Sequence, residues 1–343
     1  MNQAIHSIIK KIPIDYLKKL NKNLKGKKRD MEIQLMERLE TDVDLRSKIE
    51  NYYSEMELGG RKHFFLWENQ FTEEQKVEIK EHVKNFTPRN QIDIFDEITK
   101  LPELGEIMVF QMTDFGQCFH FRTIKEVEEL INQQIINKRV VKEYVFTPIH
   151  HISFVNCRTD DGIILVGIDT YFRVFPSAKA IQEYATEIMQ RIISHSSKNH
   201  IIEPEVINKL IREDNFIVTK IKGSLTIDEG TFKKQEKQKK KILQELINHT
   251  YRISDVKAMN SDIDIFSHPM FDAARKRAMD MGEEIVVSYA EGYWFTDASG
   301  NIKVFRVAFD AENSSIQTFS GAISEEEVNY VISRCLKCAG KEI

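Results

Sequence analysis

The chain has 343 residues, 41% of them hydrophobic and 10% aromatic, with a formal net charge of −4. This is the composition of a folded protein of two or three domains, and it excludes a chain too polar to build a core. No apolar run approaches the roughly 18 residues of a membrane span, and the basic N-terminus lacks the apolar centre of a secretory signal.

The four cysteines make no disulfide framework for a chain of this size. The expected compartment is therefore intracellular: cytoplasm in a bacterium, nucleus in a eukaryote.

The first third reads as helices. Ile8, Ile9 and Ile12 precede Pro13, which ends a short first helix. Ile14, Leu17, Leu20 and Leu24 recur at helical spacing, and Gly26 stops them. Met31, Leu35, Met36 and Leu39 form a third stripe, and Val43, Leu45, Ile49, Tyr52 and Tyr53 a fourth. After Gly59-Gly60 comes the dense apolar block Phe64-Phe65-Leu66-Trp67. Thr72 caps a further helix to about residue 85, and Pro88 closes the section. The expectation is a basic, all-helical domain over residues 1–87.

The pattern then changes to period two. Glu106–Met112 and Gln117–Arg122 alternate around Asp114-Phe115-Gly116, a hairpin turn. The spacing predicts a helix over 123–137, then strands at Val140–Phe146, Ile149–Cys157 and Ile163–Phe175. A helix runs from Ser177 to about Ser194. These elements make a mixed domain over 88–200.

A C-terminal α+β domain over 201–343 repeats this grammar. It has a strand near Phe216–Gly223, a long helix to His249, a strand at Tyr251–Met259 and a helix opened by Pro269. Short strands follow at Glu284–Tyr289, Tyr293–Thr296, Ile302–Phe309 and Ile316–Phe319. Ser324 and Glu327 form a capping box for the last helix. The fold class is α+β: an all-helical N-terminal domain followed by a mixed, mainly antiparallel body.

Charge is the most uneven property of the chain. Residues 1–29 hold Lys10, Lys11, Lys18, Lys19, Lys22, Lys25, Lys27, Lys28 and Arg29 against the single acid Asp15, a net of +8. Lys233, Lys234, Lys237, Lys239, Lys240 and Lys241, opposed by Glu236, add +5 and leave about −17 for the rest. Such a field faces a polyanion or an acidic partner. The candidate phosphate contacts are Lys10, Lys11, Lys18, Lys22, Lys25, Lys27, Lys28, Arg29, Lys233, Lys234, Lys237 and Lys240.

Other constellations carry less. Cys335 and Cys338 supply two of the four ligands of a structural zinc, and read as apolar thiols on one helix face. His150-His151 lies at a strand start, where one ring points inward and the other outward. Asp160, Asp161 and Asp169 can be read as acidic ligands, but Asp160 and Asp161 fall in a turn that favours such residues. Asp255-Val256-Lys257 is the nearest imitation of a metal-dependent nuclease strand, without an obvious second acid. Tyr293-Trp294-Phe295 reads as core. No phosphate loop, dinucleotide fingerprint, HExxH or GxSxG is present, and neither a cofactor nor a metal is expected.

Two resemblances touch the basic segment. Gly26-Lys27-Lys28, with Arg38-Leu39 beyond, resembles the second half of a SAP-type DNA-binding helix pair. Ile8-Ile9-Lys10-Lys11-Ile12-Pro13-Ile14 resembles the opening of the centromere protein N family of kinetochore proteins. The resemblance continues through Leu35–Leu39, Tyr52-Tyr53, Lys62-His63-Phe64-Phe65 and Ile92–Asp96, roughly 95 residues. It implies a pyrin-like helical domain, contact with nucleosomal DNA through Lys10 and Lys11, and a partner bound by the C-terminal part. The family's acidic residues that meet the centromeric histone have no counterpart at Asn2, Gln3 or Ser7.

The sequence thus reads as a non-enzymatic DNA-binding or assembly protein, its helical N-terminal domain on phosphate and its body on a protein partner or a second copy, with no membrane. The alternatives are a nuclease or other effector subunit of a bacterial defence or repair system, and an adaptor for an acidic partner.

Overall fold

A computed structural model describes residues 3–20, 24–39, 41–91, 93–113, 115–136, 139–172, 174–194, 199–213, 216–225, 285–296, 303–319 and 323–341. These fall into two compact units, residues 1–198 with 321–328 and residues 199–320 with 329–343.

In the first unit, helices α1 (Gln3–Lys11), α2 (Ile14–Leu20), α3 (Lys28–Leu39) and α4 (Val43–Leu58) follow the apolar stripes. Pro13 separates α1 from α2. Gly26 takes φ +98°, open to glycine, and lets the chain turn into α3. Asp42 caps α4 by accepting from the Leu45 amide at 2.9 Å. Ile9, Ile12, Leu17, Leu35 and Ile49 pack into one apolar cluster with Ile94 and Phe95 of α6 (Ile94–Leu104) and with Ile152. Each such side chain contributes about 1.5–3 kcal/mol by leaving water.

Ile152 belongs to a sheet, so the helical layer has no core of its own. The strands are β1 (Lys62–Glu68), β2 (Thr87–Pro88), β3 (Glu106–Thr113), β4 (Gly116–Ile136), β5 (Arg139–Arg158) and β6 (Ile163–Asp169). Their order is β2-β3-β4-β5-β6-β1, antiparallel except for β2 with β3. The other face packs on α5 (Glu73–Asn85) and α7 (Ala178–Gln190) through Phe65, Trp67, Phe119, Val155, Ile164, Ile79, Ala185 and Ile188. Gly167 on β6 sits under the Phe154 ring, where a Cβ would lie 2.2 Å from a ring carbon.

Two expectations are corrected here. The N-terminal region is not an all-helical domain: residues 62–68 form β1, paired with β6 along its whole length. Both faces of β1 are covered, so its residues show no alternation and read only as an apolar block. The predicted helix over 123–137 is instead the outer half of β4, which pairs with β5 from Gln117 to Ile136. Ile124, Val127, Leu130 and Ile131 do fall at helical spacing, but backbone pairing to β5 overrides that period.

The second unit contains β7 (Asn199–His200), α8 (Pro204–Leu210), β8 (Phe216–Leu225), β9 (Ile285–Thr296), β10 (Lys303–Asp310), β11 (Ser315–Thr318) and most of α9 (Glu325–Cys338). Strands β8, β9, β10 and β11 lie in that order, antiparallel. Trp294 stacks on Phe216 at 5.1 Å and meets Phe309 and Tyr330 edge-on, so Trp294 of the aromatic run is core. Ser324 and Glu327 form the expected capping box of α9. Among the described residues no helix is long and apolar enough to cross a membrane.

Candidate functional site

The basic segment divides by orientation. Lys18 and Lys19 are exposed at the end of α2, and Lys25, Lys27 and Arg29 are exposed around the turn into α3. The turn is held by its own polar groups. Asp30 accepts from the Lys27 amide at 2.8 Å, and the Gln34 side-chain amide donates to the Lys25 carbonyl at 2.9 Å. These bonds hold the backbone at Lys25 and Lys27.

Lys28 and Lys11 point the other way. Lys28 donates to the Lys10 carbonyl at 2.7 Å and to the Tyr171 hydroxyl at 3.2 Å, and Tyr171 donates to the same carbonyl at 2.6 Å. Lys10 itself is half-buried. Lys11 donates to the His150 carbonyl at 2.9 Å and pairs with the Asp169 carboxylate. Lys22, Lys233, Lys234, Lys237 and Lys240 lie outside the described residues, as do Asp255 and Lys257.

Beneath α1 is a cleft of about 420 Å³, counting its mouth, lined in part by Lys11, Tyr53, Arg61, Lys62, Asp169 and Tyr171. Lys62 and Asp169 are opposite partners in the β1–β6 ladder. Burial alone would raise the Asp169 carboxyl, but the ammonium groups of Lys11 and Lys62 outweigh it and hold the carboxyl well below the usual range. Burial pushes Lys62 down to about 8, against the pull of Asp169. Arg61 has a buried Nε with no hydrogen-bond partner among the described residues. The lining thus holds three basic side chains and one carboxylate, with most of the surface it exposes apolar.

The two histidines are both buried, contrary to the inward–outward expectation. They do point to opposite faces of β5, but both faces are covered. His150 meets the Tyr53 hydroxyl at 2.6 Å on the helical side, and its amide donates to Ser7. His151 lies against the rings of Phe175 and Tyr184 and contacts the Asp169 carbonyl at 3.2 Å. Burial pushes His150 well below the usual imidazole range and His151 down to about 3. Both are neutral at pH 7.

A second buried cluster joins Glu57 to Arg122 and Arg89. Burial would raise the Glu57 carboxyl, and the guanidinium of Arg122 with lesser help from Arg89 brings it below the usual value. It ties α4 to β4. Sequence reasoning weighed Asp169 with Asp160 and Asp161 as an acidic ligand, and passed over Glu57, Arg61 and Lys62 as site residues, because isolated charges beside apolar runs look like surface residues.

All four cysteines are free and buried, and burial raises each thiol. Among the described residues no three His, Cys, Asp or Glu side chains are placed to hold a metal. No protein-family model matches the chain, and no curated protein matches its sequence.

Proposed function

We propose that the protein binds nucleic acid non-enzymatically, its exposed cations at the α2–α3 turn contacting the phosphate backbone. The observation that carries this reading is that Lys18, Lys19, Lys25, Lys27 and Arg29 are all exposed within twelve residues, with Asp30 and Gln34 bracing the backbone at Lys27 and Lys25. Contacts of this kind give affinity without base readout. Neutralising five phosphates on duplex DNA implies a salt slope near −4.5, or roughly 500-fold weaker binding between 50 and 200 mM salt.

Affinity for duplex DNA, measured at those two salt concentrations, tests this. Lys25→Glu/Lys27→Glu should abolish most binding at low salt and leave the folded signal intact. DNA affinity unchanged in that variant, or absent from the parent protein at low salt, overturns the proposal.

The buried Nε of Arg61 favours a second reading, in which the cleft under α1 takes a small anion with a phosphate or carboxylate group. Inorganic phosphate should then raise the melting temperature of the protein but not that of Arg61→Met. An equal rise in both removes the cleft as a site.

A further inference from the structure

We infer that the Lys62 amine takes up carbon dioxide as a carbamate, held in the cleft under α1 by the guanidinium of Arg61 and the ammonium of Lys11. Lys62 opens β1, is only 3% exposed and lines the cleft, whose exposed surface is mostly apolar. An uncharged gas enters such a cleft without the cost of stripping water from a charge. The step is an addition. The lone pair of the neutral amine attacks the carbon of CO2, and an N–C bond forms. One C=O π bond breaks toward oxygen, and a nitrogen proton passes to solvent water. The products are a carbamate anion and a proton.

Charge selects this reaction among those open to an amine. The charged residues that line the cleft are Lys11, Arg61, Lys62 and Asp169. With Lys62 as an ammonium they carry two net positive charges, and with Lys62 as a carbamate they carry none. A protonated imine, formed with an aldehyde or ketone, would keep the nitrogen cationic and leave that surplus in place. The carbamate also offers an oxygen to the Arg61 Nε–H, which is buried with no hydrogen-bond partner among the described residues.

The amine is suited to the attack. Burial pushes Lys62 down to about 8 against the pull of Asp169, and the Lys11 ammonium adds to that push. Much of it is therefore neutral at pH 8, where a lysine at its ordinary value of about 10.4 stays protonated. Lys11 belongs to α1 and Lys62 to β1, so the carbamate ties the helix to the sheet. The inference rests on the second reading above, the cleft as an anion site, and names the group that fills it.

Trapping tests it. The full chain is held with dissolved CO2 and bicarbonate at pH 8, and triethyloxonium ion then fixes any carbamate as its ethyl ester for mass spectrometry of the digest. The ester should appear on Lys62 and be absent from Lys62→Arg. Arg61→Met, at a half-buried position, should need roughly tenfold more CO2 for the same labelling. Bicarbonate should also raise the melting temperature of the parent above that in chloride of equal ionic strength, and leave Lys62→Arg unchanged. No ester on Lys62 at high CO2 overturns the inference, as does labelling no greater than that of exposed Lys18 and Lys27. Equal labelling of Arg61→Met and the parent overturns it too, since the holding cation is then not used. Phosphate that raises the melting temperature while Lys62 stays unlabelled overturns this inference alone and leaves the cleft as a phosphate site. Labelled Lys62 without a response to phosphate supports it.

Discussion

The two ends of the β4–β5 hairpin lie in opposite surroundings, and their residue types run against them. At the base, Ile149, His150, His151 and Ile152 are all buried, polar rings included. Toward the turn, Val140, Val141, Tyr144, Val145 and Phe146 are exposed, although they are the more apolar set. The base has α1 on one face and the α7 layer on the other; the outer half has β4 alone. Burial is therefore set by which elements reach a strand, and local hydropathy does not decide it. An apolar strand left outside a core is the mark of an interface.

The largest test of this contrast lies at the base. Asp169→Ala leaves Lys11 and Lys62 without their carboxylate in a buried site and should cost about 3–5 kcal/mol of stability, read from urea unfolding. A loss below about 1 kcal/mol would mean that the cluster does not hold α1 to the sheet.

Next comes pH. Buried His150, His151 and His120 are neutral in the fold, with His120 pushed by burial down to about 4 and His151 to about 3. In the unfolded chain they take up protons near pH 6.5, so the unfolded state binds more protons below that value. Stability should be full above about pH 6.5 and fall as pH drops toward 4 and 3. Residues 126–148 contain no histidine, so this loss belongs to the base of the hairpin and not to its outer half. Urea midpoints that stay flat from pH 7 to 4.5 would contradict the neutral histidines.

The smallest effect belongs to the outer half itself. Phe146→Thr should change the stability of the protein by no more than about 0.5 kcal/mol, since its ring already faces water. Ile152→Ala on the same strand should cost about 2–5 kcal/mol. Similar losses at the two positions would erase the distinction between base and outer half.

Much of the local structure was legible from residue types. Thr72, Ser177 and Ser324 each cap a helix where their spacing to the next residues requires it. The turns at Phe115-Gly116 and Asp160-Asp161-Gly162 followed from glycine with positive φ. The errors came where a partner strand decides. Lys62–Glu68 and 123–137 carry patterns that fit more than one element, and ladder pairing to β6 and β5 selected strand in both. The basic segment was legible as charge but not as geometry, because Lys11 and Lys28 find Asp169 and Tyr171 some 140 or more residues away.

By itself, then, the amino-acid order determined where capped helices start, where hairpins turn and where cations concentrate. These depend on contacts within a few residues, whose energies the local chain carries. Tertiary structure alone decided that the β1 block joins a sheet, that two histidines are buried and neutral, and which lysines face out. It also decided that Val140–Phe146 remains uncovered. Each of those depends on a neighbour distant in sequence, and burial and pairing energies exist only once that neighbour is in place.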